Sequence, residues 1–196
     1  MMKSVSITVF IAVFLTACAA GTDFQKLEVN QLVYGSDTPE TIKQKLGEPY
    51  DEGTITKNEK QFQTINYAYA SGRGSAAYKG VTAGRGQTFF FYKNKLVGHS
   101  FSSSWKVDST DFDESKVGEI KEGDTTIQEV IELLGSPNGE YTFPLVKNET
   151  EKAKVYSYNQ LKGSAFSMKF YTKLLIVTHD ENGIVTEVVY ASSGEK

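Results

Sequence analysis

Side chains able to do chemistry are few in this chain. It has two histidines, His99 and His179, and one cysteine, Cys18. Hydrolysis or group transfer needs a nucleophile with a base, a metal cluster, or paired carboxylates in one pocket. His99 precedes Ser100, but neighbours along an extended strand face opposite ways, so they are not a nucleophile–base pair. Two histidines and one cysteine are too few soft ligands for a transition-metal site. The acidic run DSTDFDES, Asp108 to Ser115, lacks the glycine and closing glutamate of a calcium loop, and reads as a linker that caps the next helix. GRGSAA, Gly72 to Ala77, fits Gly-x-Gly-x-x-Ala. A dinucleotide site would also need a helix opening there and an acid about twenty residues on. The following YKGVTAGRGQTFF has no helical period, and position 92 is Tyr. The stretch therefore reads as a glycine-rich loop, with Arg73 and Arg85 in two Gly-Arg-Gly triplets giving a cationic tip for an anionic partner or lipid headgroup. Asn148-Glu149-Thr150 matches a glycosylation triplet and carries little weight. No catalytic residue, metal ligand, cofactor or small-molecule substrate is predicted.

The cysteine calls for a different chemistry. Lys3 is followed by an apolar stretch from Val5 to Leu15 and then by small residues. This is the layout of a secretory signal peptide, and it is too short for a stable membrane span. Leu15-Thr16-Ala17-Cys18 resembles the bacterial lipobox. That resemblance implies removal of residues 1–17 and lipidation of Cys18 on its thiol and new amine. Acyl chains contributing roughly 0.8 kcal/mol per buried CH₂ would then anchor the chain. In Gram-negative lipoproteins an Asp after the cysteine signals inner-membrane retention. Ala19 stands there, which implies the outer membrane, facing the periplasm, where the envelope is of that type. With no second cysteine, no internal disulfide is possible.

The chain has 196 residues and a formal net charge of −3, which gives no electrostatic footprint for nucleic acid. Internal similarity organises the chain beyond the signal. Under a shift of 88 positions Gly35 meets Gly123, Thr38 meets Thr126, Leu46-Gly47 meets Leu134-Gly135, and Pro49 meets Pro137. Upstream Val29 meets Val117, and downstream Asn94 meets Asn182. The expected organisation is a lipidated tether over 18–23 and two units over 24–107 and 108–196. Each unit opens with a short helix or helical turn, FQKLEVNQLVYG or FDESKVGEIKEG. A second helix comes next. Asp37 or Thr38 can cap it in the first unit, with Pro39 in its first turn. Thr125 and Gln128 have capping-box spacing in the second. Ile127, Val130, Ile131 and Leu134 then lie at helical spacing, and Gly47 and Gly135 end the helices, with prolines two residues later. Strands complete each unit. FQTINYAYA alternates, placing Ile65, Tyr67 and Tyr69 on one face and small Ala68 and Ala70 on the other. Hairpins are expected at Lys93-Asn94-Lys95 and at Glu181-Asn182-Gly183.

The phrase Gly-x-Thr-x-x-x-Val-x-x-x-Leu-Gly-x-Pro, carried by Gly123, Thr125, Val130, Leu134, Gly135 and Pro137, resembles the SmpA/OmlA (BamE-like) outer-membrane lipoproteins. Two such units in one chain resemble the tandem architecture of β-lactamase inhibitor proteins. The resemblance implies an α+β fold of two helix–helix–strands units, each antiparallel sheet covered by its helices. It also implies a non-catalytic lipoprotein that binds envelope proteins during outer-membrane protein assembly or envelope maintenance. The alternative is an inhibitor-type module that grips an exported enzyme.

Aromatic side chains are the remaining candidates for contact. Phe89, Phe90, Phe91 and Tyr92 put rings on both faces of one strand. One face must cover helices, and the other must be hidden by the second unit or a partner. Tyr67, Tyr69, Phe90, Tyr92 and Trp105, with Arg73 and Arg85, are therefore the predicted protein-binding residues, since Tyr, Trp and Arg are favoured interface anchors.

Overall fold

The computed structural model describes residues 19–164 and 167–195. The signal segment and Cys18 lie outside the described residues. Nine strands run in chain order: β1 (Ala19–Gly21), β2 (Asp51–Lys57), β3 (Lys60–Ser71), β4 (Val81–Tyr92), β5 (Lys95–Ser103), β6 (Gly139–Thr142), β7 (Lys152–Ser164), β8 (Ser167–His179) and β9 (Val185–Gly194). Two helices, α1 (Pro39–Leu46) and α2 (Ile127–Leu134), supply the helical layer. The segments expected as leading helices form only 3₁₀ turns, Val29–Gln31 and Glu114–Glu119. Both are too short for an α-helix to nucleate and persist.

The sheet corrects the sequence expectation. The strands form one antiparallel sheet in the order β1-β3-β4-β5-β6-β7-β8-β9, with β2 also paired to β3, and not two sheets each under its own helices. The junction is short. Gly98, His99 and Ser100 of β5 pair with Tyr141, Glu140 and Gly139 of β6. Below that seam Val81 and Thr82 of β4 pair with Lys162 and Leu161 of β7. Residues 19–21, expected as part of a tether, pair as β1 with Ser71, Ala70 and Tyr69.

Local geometry follows the sequence signals where these are specific. The β4–β5 hairpin turns through Lys93 and Asn94 at φ 50° and 63°, the left-handed pair that such a turn needs. The Thr38 hydroxyl caps α1 by accepting from the Thr41 amide. Asp37 instead accepts from the Val33 amide and pairs with Lys45. The capping box of α2 is Thr126 with Glu129, one residue later than expected. That register turns Val130 fully into the core, while Thr125 Oγ1 accepts from the Lys121 amide. Corresponding bonds recur in both halves. The Tyr67 and Tyr156 hydroxyls donate to the carbonyls of Gly47 and Gly135, at 2.8 and 3.0 Å. The amides of Gly35 and Gly123 donate to the carbonyls of Leu96 and Val185, at 2.8 and 2.7 Å.

Alternation along the strands separates two faces. On the helical face, Ile42 packs with Ile65, Tyr67, Phe89, Phe91 and Phe101, and Val130 packs with Phe112, Tyr156, Leu175 and Val177. The opposite face has a third apolar cluster centred on the seam, with Phe62, Tyr141, Leu145, Val146 and Val155 buried. It is roofed by the chain after β6, whose Pro144 and Leu145 carbonyls accept from the Asn58 side chain in the β2–β3 turn.

The seam leaves no room for side chains at two glycines. A Cβ on Gly139 would stand 2.5 Å from the His99 carbonyl oxygen and 2.9 Å from Ser100 Cα, both backbone atoms. Gly139→Ala should therefore lower unfolding free energy by about 1–3 kcal/mol, the range of core overpacking, in urea denaturation. Gly118→Ala, where nothing lies within 4 Å, should leave it nearly unchanged.

Candidate functional site

Three of the predicted contact residues meet on the helical face. Tyr69 and Arg85 are cross-strand partners. The Tyr69 ring stacks on Trp105 at 5.9 Å between centroids, and the Arg85 guanidinium lies 5.2 Å from the Trp105 ring. Arg85 also pairs with Asp23 at 2.9 Å and with Asp108 at 3.5 Å. This cluster clasps the chain entering the fold and the chain leaving the first half. Tyr67 is buried between Phe24 and Phe89. Phe90 and Tyr92 lie on the opposite face, where Phe90 meets Tyr141 edge-on at 5.3 Å and Tyr92 meets Phe62 at 5.6 Å. Arg73 stands apart, exposed in the loop between β3 and β4.

The histidines are likewise placed for structure. His99 is buried on the helical face, stacked on Phe89, and its Nδ1 lies 2.6 Å from the Tyr34 hydroxyl. Burial pushes its pKa down from 6.5 to about 4, although Glu140 and Glu28 pull the other way. The ring is therefore neutral at pH 7, and its Nδ1 shares one hydrogen bond with the Tyr34 phenol. His99 borders a cleft of about 400 Å³ between the two helical layers, yet Ser100 points to the other face of the sheet. His179 Nδ1 lies 2.9 Å from the Asp180 carbonyl oxygen, and its Nε2 is buried with no hydrogen-bond partner among the described residues.

One buried ion pair is a feature that sequence reasoning did not single out. Lys173 is 1% exposed. Its ammonium lies 2.5 Å from Asp111, donates to the Phe112 carbonyl, and sits 4.3 Å from the centre of the Phe112 ring. An unpaired ammonium would not survive there, so the pair and the carbonyl together hold the acidic linker against β8. The DSTDFDES run thus serves as a strap. Asp108 accepts from Ser103, Thr110 donates to the Ser157 carbonyl, and Asp111 takes Lys173. No group of three or more His, Cys, Asp or Glu side chains able to hold a metal occurs among the described residues. No helix of the described residues is long and apolar enough to cross a membrane.

The open feature is on the helix-free face. Where the roof over the seam ends, β3, β4, β5 and β7 form the floor of a trough of about 570 Å³. Its floor carries Ala68, Ala70, Gly84, Gly86, Ser100 and Ser102, and Asn159 bonds to Ser102 across the junction of the halves at 3.0 Å. Tyr50 and Phe170 stand in the lining, 66% and 64% exposed. The trough exists because its floor on β3, β4 and β5 carries Ala, Gly, Ser and Thr, while the bulky partners on the same strands point to the helices. Ala68 and Ala70 were visible in sequence as the small side of an alternating strand. The contributions of β5 and β7 were not, because only the seam brings them alongside.

No family model matches this chain, and no curated protein matches it. A solved structure from Streptococcus mutans, provisionally described as a beta-lactamase inhibitor protein, matches at 16% identity, covering 80% of this chain and 83% of that chain, with a TM-score of 0.39. A superposition that loose does not carry a role from one protein to the other.

Buried His99 makes stability depend on pH in a definite direction. Its folded pKa is depressed, so the unfolded state binds the proton more tightly, and stability present above pH 6.5 is lost as pH falls towards 4. Compared with His99→Leu, the wild-type chain should lose roughly 3 kcal/mol more over that interval, measured by denaturant unfolding at each pH.

Proposed function

We propose that this chain is a non-catalytic binding module, lipid-anchored at Cys18 to a bacterial envelope membrane, that receives a protruding segment of another envelope or exported protein in the trough. The trough carries the reading. It is an uncovered region of a sheet whose remaining described aromatic surface is largely engaged within the chain. Its floor offers hydroxyls and small side chains that leave room for the partner's own bulk. Tyr50 and Phe170 supply exposed aromatic area, as protein interfaces favour. The paired bonds of Tyr67 and Tyr156, and of Gly35 and Gly123, favour the view that each half is a version of one helical-turn–helix–strands unit. The trough would then be the surface that duplication creates, since neither half contains it alone. A role in outer-membrane protein assembly or maintenance is the setting implied by the lipoprotein resemblance. Gripping an exported enzyme is the second setting that the same surface would serve.

Two experiments test the reading separately. Cys18→Ala should move the protein from the membrane pellet to the soluble envelope fraction. Equal membrane retention would remove the anchor from the proposal. Ala70→Trp fills the trough floor without touching the helical core. In pulldowns from detergent-solubilised envelopes it should lose the protein captured by the wild-type chain while melting at the same temperature. Capture undiminished by Ala70→Trp would place binding elsewhere.

A further inference from the structure

The strand ends give the sheet two poles, and at one of them Ala19 enters it. Ala19 pairs with Ser71, the last residue of β3. Gly21 fixes this placement, because a Cβ there would stand 2.0 Å from the Ala68 carbonyl oxygen and its φ is +78°. Cys18 directly precedes Ala19 in the chain. A lipid on Cys18 therefore has no long tether between it and the folded sheet. The same pole carries the β3–β4 loop, the chain after β5, and the adjoining ends of β7 and β8.

The described residues at this pole have the chemistry of an anionic lipid surface. Arg73, Lys79, Lys106 and Lys162 are exposed there, and none of them forms an ion pair among the described residues. Of the nearby acids, Asp23 and Asp108 share Arg85, Asp111 pairs with Lys173, Glu195 pairs with Lys169, and Glu114 accepts from the Tyr171 and Tyr190 hydroxyls. Between the cations stand exposed apolar groups, Tyr78 at 49%, Met168 at 52% and Val107 at 86%. The opposite pole, with the β2–β3, β4–β5 and β8–β9 turns and the β6–β7 connection, mixes its lysines, exposed Lys93, Lys95 and Lys152 among them, with Glu59, Glu149, Glu151, Asp180 and Glu181. The whole chain is net negative, at −3, and these four exposed cations stand at this end without an ion partner among the described residues.

We propose that this pole is a membrane-docking surface, seating the protein on anionic phospholipid with the sheet standing up from the bilayer and the β6–β7 connection farthest from it. The inference rests on the lipid anchor proposed above and adds to it an orientation and a second attachment. A lipid combined with a basic patch is the usual two-signal arrangement for stable membrane attachment. The cations meet headgroup phosphates, and Val107 and Met168 reach the interface between headgroup and acyl chain.

The test uses the full chain, lipidated and purified, in vesicles of phosphatidylethanolamine and phosphatidylglycerol with brominated acyl chains. Lipidation blocks Cys18, so Val107→Cys or Asn148→Cys each carries one labelled thiol. A fluorophore at Val107→Cys should lose emission to the brominated chains, and one at Asn148→Cys should keep it. Reversing Arg73, Lys79 and Lys162 together to Glu should restore the Val107→Cys emission in protein that still floats with the vesicles. Equal quenching at both positions, no quenching at Val107→Cys in floating protein, or quenching indifferent to the reversal would each overturn the docking surface and leave the anchor standing. Protein that fails to float removes the anchor, and the docking surface with it.

Discussion

The structure depends on a backbone contact a few residues long. Gly98 to Ser100 of β5 lie against Gly139 to Tyr141 of β6, and this pairing, with Val81 and Thr82 of β4 on Lys162 and Leu161 of β7, joins two half-sheets into one. It is possible only because Gly139 has no side chain, since the His99 and Ser100 backbone occupies the place a Cβ would take. Gly98 is constrained in the same way, with Leu145 and Tyr141 side chains within 2.7 Å of where its Cβ would be. Short pairing of this kind contributes few hydrogen bonds. What holds it is the apolar cluster of Phe62, Tyr141, Leu145 and Val155 on one face, and the strap from Asp108 to Asp113 on the other.

Those two reinforcements divide the helix-free face. Over the seam, the chain after β6 folds back and covers Phe90 and Tyr92, so these rings find partners within the molecule. Further along the same strands the side chains shrink to Ala, Gly, Ser and Thr, and no described residue covers them. A single strand such as β4 thus goes from Gly84 and Gly86 at the trough to Phe90 and Tyr92 under the roof. On its helical side Arg85, Gln87, Phe89 and Phe91 are engaged throughout. Gln87 shows how closely: its amide group donates to the Leu27 carbonyl and accepts from the Leu27 amide, pinning the entering chain as a third strand would.

Much of this was legible in sequence, and the parts that were not share a cause. Helix stops at Gly47 and Gly135, the cap at Thr38, the turn at Lys93-Asn94 and the side assignment of Ile65, Tyr67 and Tyr69 are local facts, fixed by φ preferences and by a period of two. The capping box lay one residue beyond its expected place because Thr125-Gln128 and Thr126-Glu129 both satisfy the spacing. Only burial of Val130 decides between them. The fused sheet has no local signature, since Gly-Glu-Tyr-Thr of β6 is too short to show alternation. The same limit hid the trough, which needs β5 and β7 side by side, and the role of Lys173, which looks like any strand lysine until Asp111 is brought across from a linker 62 residues earlier in the chain.

The aromatic residues make the same point in reverse. Tyr69, Arg85 and Trp105 have the composition of an interface, and they do form one, but both sides of it belong to this chain. Their position explains why the molecule needs it. Residues 19–24 and 103–111 both cross from sheet to helical layer at this corner, and each crossing leaves carboxylates, Asp23 and Asp108, beside the sheet. A single guanidinium answers both and lies against Trp105. Large planar side chains were therefore used where two chain crossings had to be locked. The trough differs: its floor is built of small side chains, and its aromatic groups, Tyr50 and Phe170, stand exposed in the lining with no such lock to make.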